Sequence, residues 1–324
     1  MSIVMNESEA ADATDVATVI RLRDVSKRFG RTLAVDHLHL NVTRGSVYGL
    51  LGSNGAGKTT AIRMIVGHLH PSQGLVDVFG EDPWAHDETI RSKIAYISEN
   101  MSLPGWMTVD DLLRFSERLH PCWNAQLAET LKIRFKLGGN SQRHGTRKNG
   151  TEKRRPFRNM SKGQKRLMCI LAALCQMPEL LVMDEPASGL DVSARREFLD
   201  QILEIACDGN RTVLISSHIL SDLERVVDHV AIMHEGRMRM EGHLEDLKQN
   251  VRRLVFPGEI EKQDLADHFA LLRYAFDGQC SEAVVVGFDE PAFQKFCTER
   301  GCGKAQSFSM NLENLFVEVT GEQN

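Results

Sequence analysis

Hydrophobic and polar residues alternate along TVIRLRDVSKRF (18–29) and LHLNV (38–42), the period of half-buried strands. SVYGLLG (46–52) is more continuously apolar, as a strand covered on both faces must be. It runs into GSNGAGKTT, after which AIRMIVGHL continues with helical spacing. Further buried strands are expected at LLVMD (180–184) and TVLISS (212–217), with a helix between them beginning near SARREFLDQILEIA. Buried strands alternating with amphipathic helices predict an α/β fold around a mostly parallel sheet. The polar and helical stretch from about 100 to 178 reads as a helical subdomain inserted ahead of the LLVMD strand.

Beyond residue 250 the elements shorten: RRLVF, a polar helix near 260–269, LLRYAF, EAVVVGF, a helix through PAFQKFCTER, then KAQSFSM. That order, β-α-β-β-α-β, predicts a small α+β unit of the split βαβ, ferredoxin-like kind over 250–324, closed by a helix at NLENLFVEV. The sequence has no fixed-period repeat and no heptad run.

Composition narrows the picture. With 324 residues, 42% of them hydrophobic, the chain can bury the core of one large domain and a smaller one. A formal net charge of −5 gives no global positive field to draw it onto nucleic acid or an anionic membrane. Positive charge is local: SQRHGTRKNGTEKRRPFR (141–158) carries seven Lys or Arg against one Glu. It reads as a solvated loop or a contact for anionic headgroups, and Phe157 is its one aromatic ring, too few for stacking nucleic-acid bases. Residues 1–17 hold four acids and no base, the reverse of a secretory leader, and are expected to be a disordered tail. Apolar runs such as LMCILAALC stop near ten residues where about 20 are needed to span a bilayer, so any membrane role needs spans from another chain. The seven cysteines (122, 169, 175, 207, 280, 297, 302) include no CxxC pair and read as reduced thiols, several of them buried.

Chemistry enters at Gly52-Ser53-Asn54-Gly55-Ala56-Gly57-Lys58-Thr59, which fits G-x-x-x-x-G-K-[ST] between a strand and a helix. Glycines let such a loop wrap a polyphosphate, backbone N–H groups and the helix N-terminus stabilise its charge, Lys58 reaches the β and γ phosphates, and Thr59 can ligate Mg²⁺. LLVMDEP carries Asp184, placed to hold Mg²⁺, and Glu185, placed to accept a proton from a water attacking the γ-phosphorus, although two acids at a strand end, read alone, fit a solvated turn or a helix cap as well. His218 follows TVLISS and, in a parallel sheet, emerges at the same carboxyl edge, where it can hydrogen-bond the γ-phosphate or the attacking water. NMSKGQKR (159–166) is either the rim of the basic patch or half of a phosphate site.

These motifs, in this order, resemble the ATP-binding subunit of an ABC transporter over residues 18 to about 245. In that resemblance GSNGAGKT is the Walker A loop, continued by Thr60, and LLVMDEP the Walker B strand. SGLD (188–191), with Asp191, is the D-loop, and His218 the switch histidine. Phe29 matches the aromatic that stacks on adenine, its alternative being a core aromatic, and MSKGQ supplies Ser161, Gly163 and Gln164 of the signature. Two positions depart from the family: Glu99 in YISEN stands where a Q-loop glutamine is usual, a third candidate Mg²⁺ ligand, and Lys162 replaces a signature glycine. SKGQ and the terminal Leu312-Glu313-Asn314-Leu315-Phe316-Val317 are similar to exporter subunits that pair with ABC-2 type permeases.

The resemblance implies an ATPase using ATP and Mg²⁺, with Lys58, Glu185 and His218 catalytic. It also implies two ATPase subunits packed head to tail, so that the signature of one completes the ATP site of the other, as a homodimer or a heterodimer. Their closure would drive a separate integral-membrane permease at the cytoplasmic face of the cell membrane. In LPGWMTVDDLL, Trp106 and Met107 are candidate permease anchors, with burial in the subdomain core as the alternative. The basic loop gains the permease as a further possible contact, and the C-terminal unit reads as a dimer brace, a sensor or a permease contact. The competing class is a soluble ABC-type ATPase switching on ribosomes or nucleic acid. Such proteins commonly carry two motif sets or long coiled coils, and neither occurs here.

Overall fold

The computed structural model describes residues 3–4, 18–85, 88–99, 101, 103–137, 156–206 and 211–321. After the short β1 (Ile3–Val4), β2 (Thr18–Phe29) and β3 (Thr32–Thr43) form an antiparallel hairpin. β3 begins six residues ahead of the expected Leu38, because the turn at Gly30 and Arg31 brings Leu33 and Val35 into register with Arg28 and Lys27. β4 (Val47–Leu51) is buried at every position and feeds the glycine loop into α1 (Lys58–Ile65). β5 (Gln73–Val78) pairs with the other side of β2, giving a three-stranded sheet of order β3-β2-β5.

α2 (Glu88–Lys93) and β6 (Ile94–Ile97) lead to the helical region of α3 (Val109–Leu119), α4 (Ala125–Arg134) and α5 (Lys162–Cys175). α3 opens on a capping box: Thr108 Oγ1 accepts from the Asp111 N–H at 3.2 Å, and Asp111 Oδ2 accepts from the Thr108 N–H at 3.1 Å. Both α3 and α4 pack on α5, whose residues 166–175 are all buried. The basic stretch expected at 141–158 lies outside the described residues up to 155. Phe157 is buried and its N–H bonds to Met107 O at 2.8 Å, so its ring is core.

β7 (Leu180–Asp184), α6 (Val192–Ala206) and β8 (Thr212–Ser217) follow, then α7 (Leu220–Leu223) and the hairpin β9 (His229–His234) and β10 (Arg237–His243). The hairpin turns on Glu235 and Gly236, both at positive φ (50° and 78°), as a two-residue turn matched to strand twist requires. The main sheet has the order β1-β10-β9-β4-β8-β7-β6, parallel from β9 to β6. β1 pairs parallel with β10, Ile3 opposite Met240 and Val4 opposite Glu241, which corrects the expectation of disorder at those two residues. Residues 5–17 lie outside the described ones. Leu51 is in register with Ser217 and Asp184 with Ser216, so β4, β8 and β7 end level at one carboxyl edge.

α8 (Leu244–Asn250) connects to β11 (Val251–Pro257), α9 (Lys262–His268), β12 (Ala270–Phe276), β13 (Cys280–Val286), α10 (Glu290–Glu299) and β14 (Gln306–Ser309). These strands form an antiparallel sheet of order β12-β13-β11-β14. Its core is a separate cluster in which Leu254 and Phe256 meet Leu265 of α9 and Phe293 and Phe296 of α10. α11 (Leu312–Thr320) turns back, burying Leu312 and Leu315 in the core that holds α5 and the main sheet. Among the described residues no helix is long and apolar enough to cross a membrane.

Candidate active site

The loop after β4 is shaped by two hairpins pressing on it. A Cβ at Gly52 would come within 2.6 Å of Met233 O, and one at Gly57, where φ is +101°, within 2.5 Å of Ala34 O. Only glycine fits at either position. Gly57 also begins α1 without a side-chain cap, so no capping side chain takes up the first helical N–H groups. Lys58, nearly buried, folds back along the loop and donates from Nζ to Gly52 O (2.6 Å) and Ser53 O (3.1 Å).

Opposite the loop stand the ends of β7 and β8. Ser216 Oγ donates to Asp184 Oδ1 at 2.7 Å and accepts from the Glu185 N–H at 3.0 Å, tying the Asp184 carboxylate and the Glu185 backbone to β8. Glu185 is in the left-handed region (φ 48°), where the chain leaves the strand through a turn closed by Ser188 N–H to Glu185 O at 3.2 Å. Its Oε2 accepts from His218 Nδ1 at 2.7 Å. Its Oε1 is buried, has no hydrogen-bond partner, and lies 3.5 Å from Lys58 Nζ.

Between these walls is a cavity of about 610 Å³. Phe29 and the run Asn54, Gly55, Ala56, Gly57, Lys58, Thr59 and Thr60 line one side, and Glu99, Glu185 and His218 the other. Phe29 is 50% exposed, so it is a cavity-lining ring and not a core aromatic. Gly52, Ser53 and Asp184 sit behind this lining, holding Lys58 and Ser216. Ser161, Gly163, Gln164 and Asp191 do not line it. Asp191 Oδ1 instead accepts from the Ala194 N–H at 2.8 Å at the start of α6. Ser161 and Gln164 cap α5 reciprocally, each side-chain oxygen accepting from the other's N–H at 3.2 Å. Of the two candidate anchors, Trp106 is 67% exposed while Met107 is 8% exposed and belongs to the core, which removes Met107 from the surface.

Two contributors escaped the sequence reading: Ser216, and Arg166, whose guanidinium is buried against the backbone of the Glu99 and Glu185 turns, while Ser188, read only as the start of the D-loop, lines the cavity. Arg166 did leave a trace, since it shares helical spacing with the buried Ile170 and Ala173 and is a charge on a core-facing stripe.

A phosphate-type loop, its lysine beside a carboxylate, and a histidine on that carboxylate at the carboxyl edge of a parallel sheet define the P-loop class of nucleotide hydrolases. Residues 35–188 match the family model described as ABC transporter. Bacitracin transport ATP-binding protein BcrA of Bacillus licheniformis is 34% identical over 322 residues, spanning 94% of this chain and 98% of that protein. Daunorubicin/doxorubicin resistance ATP-binding protein DrrA of Streptomyces peucetius is 32% identical over 74% of this chain and 69% of its own length. A solved ATP-binding subunit of an ABC transporter superposes with a TM-score of 0.61 at 29% identity, covering 72% of this chain and 92% of that one. The chain belongs to the ABC transporter family as an ATP-binding subunit, and it is an ATPase of that type.

Proposed function

We propose that this chain hydrolyses ATP between two ATPase subunits and thereby drives export through a separate membrane-spanning permease, at the cytoplasmic face of the membrane. The observation that carries the two-subunit reading is Gly163. Its φ is not positive, and a Cβ there would meet only Leu190 Cδ2 at an ordinary 3.6 Å and the Ser161 Oγ at 4.0 Å. Among the described residues nothing demands glycine there, which supports a reading in which another molecule approaches this position closely. The first turn of the 14-residue α5 presents Lys162, exposed, and the Gly163 N–H at a positive helix end suited to a partner's γ-phosphate.

Within one subunit, Lys58 and the N-terminus of α1 would bind the phosphates, and the half-exposed Phe29 ring would meet the adenine. Glu185, oriented by His218, would accept the proton of the attacking water as its oxygen bonds to the γ-phosphorus, while the bond from that phosphorus to the β–γ bridging oxygen breaks and ADP leaves with phosphate as the second product. The Thr59 hydroxyl with the Asp184 and Glu99 carboxylates is a set of hard oxygen donors that suits Mg²⁺, whose chemistry when bound is to neutralise phosphate charge.

Export is supported by the relatives, whose names include bacitracin transport and daunorubicin/doxorubicin resistance. For the permease contact we favour Trp106, together with Phe115 and Leu119, which are exposed one turn apart on α3. We assign residues 18–245 to the ATPase domain, about 100–178 of it to the helical subdomain, and 250–324 to an accessory domain, supported by the latter's own aromatic core.

The test is what co-purifies from gently solubilised membranes. A multi-spanning protein held in stoichiometric amount is expected, and recovery only with ribosomes or nucleic acid overturns the reading. In parallel, ATP should drive Glu185→Gln chains into dimers and Ser161→Arg should prevent it. Equal dimerisation of the Ser161→Arg chain would remove the signature from the shared site.

A further inference from the structure

Arg166 stands five residues after the helix cap Ser161 and is 8% exposed. All five N–H donors of a guanidinium find a main-chain carbonyl here. Nε donates to Pro186 O (2.8 Å); Nη1 donates to Ser98 O and to Glu99 O (3.0 Å); Nη2 donates to Asp184 O (3.1 Å) and Glu185 O (2.7 Å). A buried cation is tolerated when its donors are met, and burial lowers the pKa of this one while the Glu99, Asp184 and Glu185 carboxylates nearby favour its charge.

The acceptors belong to two separate segments. Ser98 and Glu99 form the loop leaving β6, and Asp184, Glu185 and Pro186 form the turn leaving β7. Arg166 itself is carried by α5, so one side chain joins three segments: the signature helix, the loop bearing Glu99, and the backbone from which the Glu185 carboxylate hangs. Glu185 is held at φ 48°, a conformation a non-glycine residue keeps only when its surroundings impose it, and its carbonyl is one of the five acceptors.

We propose that Arg166 is a positioning residue for ATP hydrolysis, locking the Glu99 loop and the Glu185 turn to the signature helix so that movement of any one resets the others. The proposal rests on the two-subunit reading above for its purpose. A partner's ATP seated on the N-terminus of α5 and a membrane partner pressing on the Glu99 loop would both reach the Glu185 carboxylate through this guanidinium. Lysine, with three donors and no planar fork, cannot meet all five carbonyls at once.

The experiment compares Arg166→Lys and Arg166→Met with the parent in the full chain. It measures affinity for a fluorescent ATP analogue, kcat and KM for ATP with Mg²⁺, the thermal midpoint, and hydrogen exchange at Ser98–Glu99 and Asp184–Ala187. For Arg166→Lys, nucleotide affinity should stay within about threefold while kcat falls at least about tenfold, equivalent to about 1.4 kcal/mol on the barrier. Exchange should rise at both segments together. A folded Arg166→Lys chain with kcat within about twofold of the parent overturns the proposal, as does a parallel loss of kcat and affinity, or exchange rising at one segment alone. If Arg166→Met does not fold, Arg166→Lys decides, and if neither folds, Arg166 is a folding residue and the proposal fails. A parent that binds nucleotide without hydrolysing it sinks the functional reading instead, and the paired exchange response then judges Arg166 by itself.

Discussion

Glu185 Oε2 accepts a hydrogen bond from His218 Nδ1 across 2.7 Å, tying the end of β7 to the end of β8. The other oxygen is buried without a hydrogen-bond donor, 3.5 Å from Lys58 Nζ. The carboxylate is thus held from both sides, by the imidazole on one oxygen and by the ammonium near the other.

The first prediction follows from that pair. His218→Ala removes the orienting donor, and kcat should fall by about 10²–10⁴. Nucleotide affinity should change little, because Lys58 and the glycine loop are untouched. Glu185→Gln keeps the shape but cannot take the proton, so hydrolysis should vanish while ATP binding persists. Steady-state hydrolysis and nucleotide titration check both, and a His218→Ala chain turning over at the parent rate would remove the hydrogen bond from the chemistry.

Gly163→Ala separates stability from assembly. Its methyl meets nothing closer than Leu190 Cδ2 at 3.6 Å, and alanine is favoured over glycine in a helix by about 0.5–1 kcal/mol. The thermal midpoint should hold or rise. ATP-driven dimerisation in the Glu185→Gln background should nevertheless be lost, as read by light scattering on a sizing column. Undiminished dimers would mean that the approach to this glycine is not close.

The central strands were legible because a parallel strand covered on both faces must be apolar throughout, so LLVMD and TVLISS delimit β7 and β8 by themselves. Parallel order then carries Lys58, Asp184 and His218 to one edge. The β9–β10 hairpin was not read although RMRM alternates as a strand does, because its turn uses Glu235 in place of the usual Asn or Asp. Arg166 could not be assigned a role, since its acceptors lie 18 to 68 residues away and no local period reports them. Trp106 and Met107 are neighbours ahead of a helix, where no periodicity says which side chain points inward.

That last pair gives opposite expectations for adjacent residues. Met107 is core, and Met107→Ala should cost about 2–5 kcal/mol in urea unfolding. Trp106 is 67% exposed, and Trp106→Ser should shift stability by no more than about 0.5 kcal/mol. Recovery of the membrane partner should fall with Trp106→Ser. Parent-like recovery would place the permease contact elsewhere on the surface.

The remaining prediction concerns pH and a pair that does not line the cavity. Tyr48, at the start of β4, donates its buried hydroxyl to Glu241 of β10, and the Asn41 N–H approaches the same oxygen at 3.4 Å. Burial raises the Glu241 carboxyl above the usual carboxylate range, outweighing the lowering by the Tyr48 hydroxyl, the Asn41 N–H, His229 and His39. Burial, followed by the charge of Glu241, likewise pushes the Tyr48 phenol well above its ordinary value. In the unfolded chain Glu241 titrates near the ordinary glutamate value of about 4.3, so between that and its raised folded value the folded state binds more proton. Stability from this group is therefore whole below the ordinary carboxylate range and is lost as pH rises through the folded pKa. Glu241→Gln keeps an acceptor for the Tyr48 hydroxyl but cannot titrate. The thermal midpoint of the parent relative to Glu241→Gln should decline as pH is raised from about 4 and level off above the folded pKa. A difference that stays constant from about pH 4 to pH 8 would show that Glu241 titrates alike in both states and that its burial leaves no mark on folding.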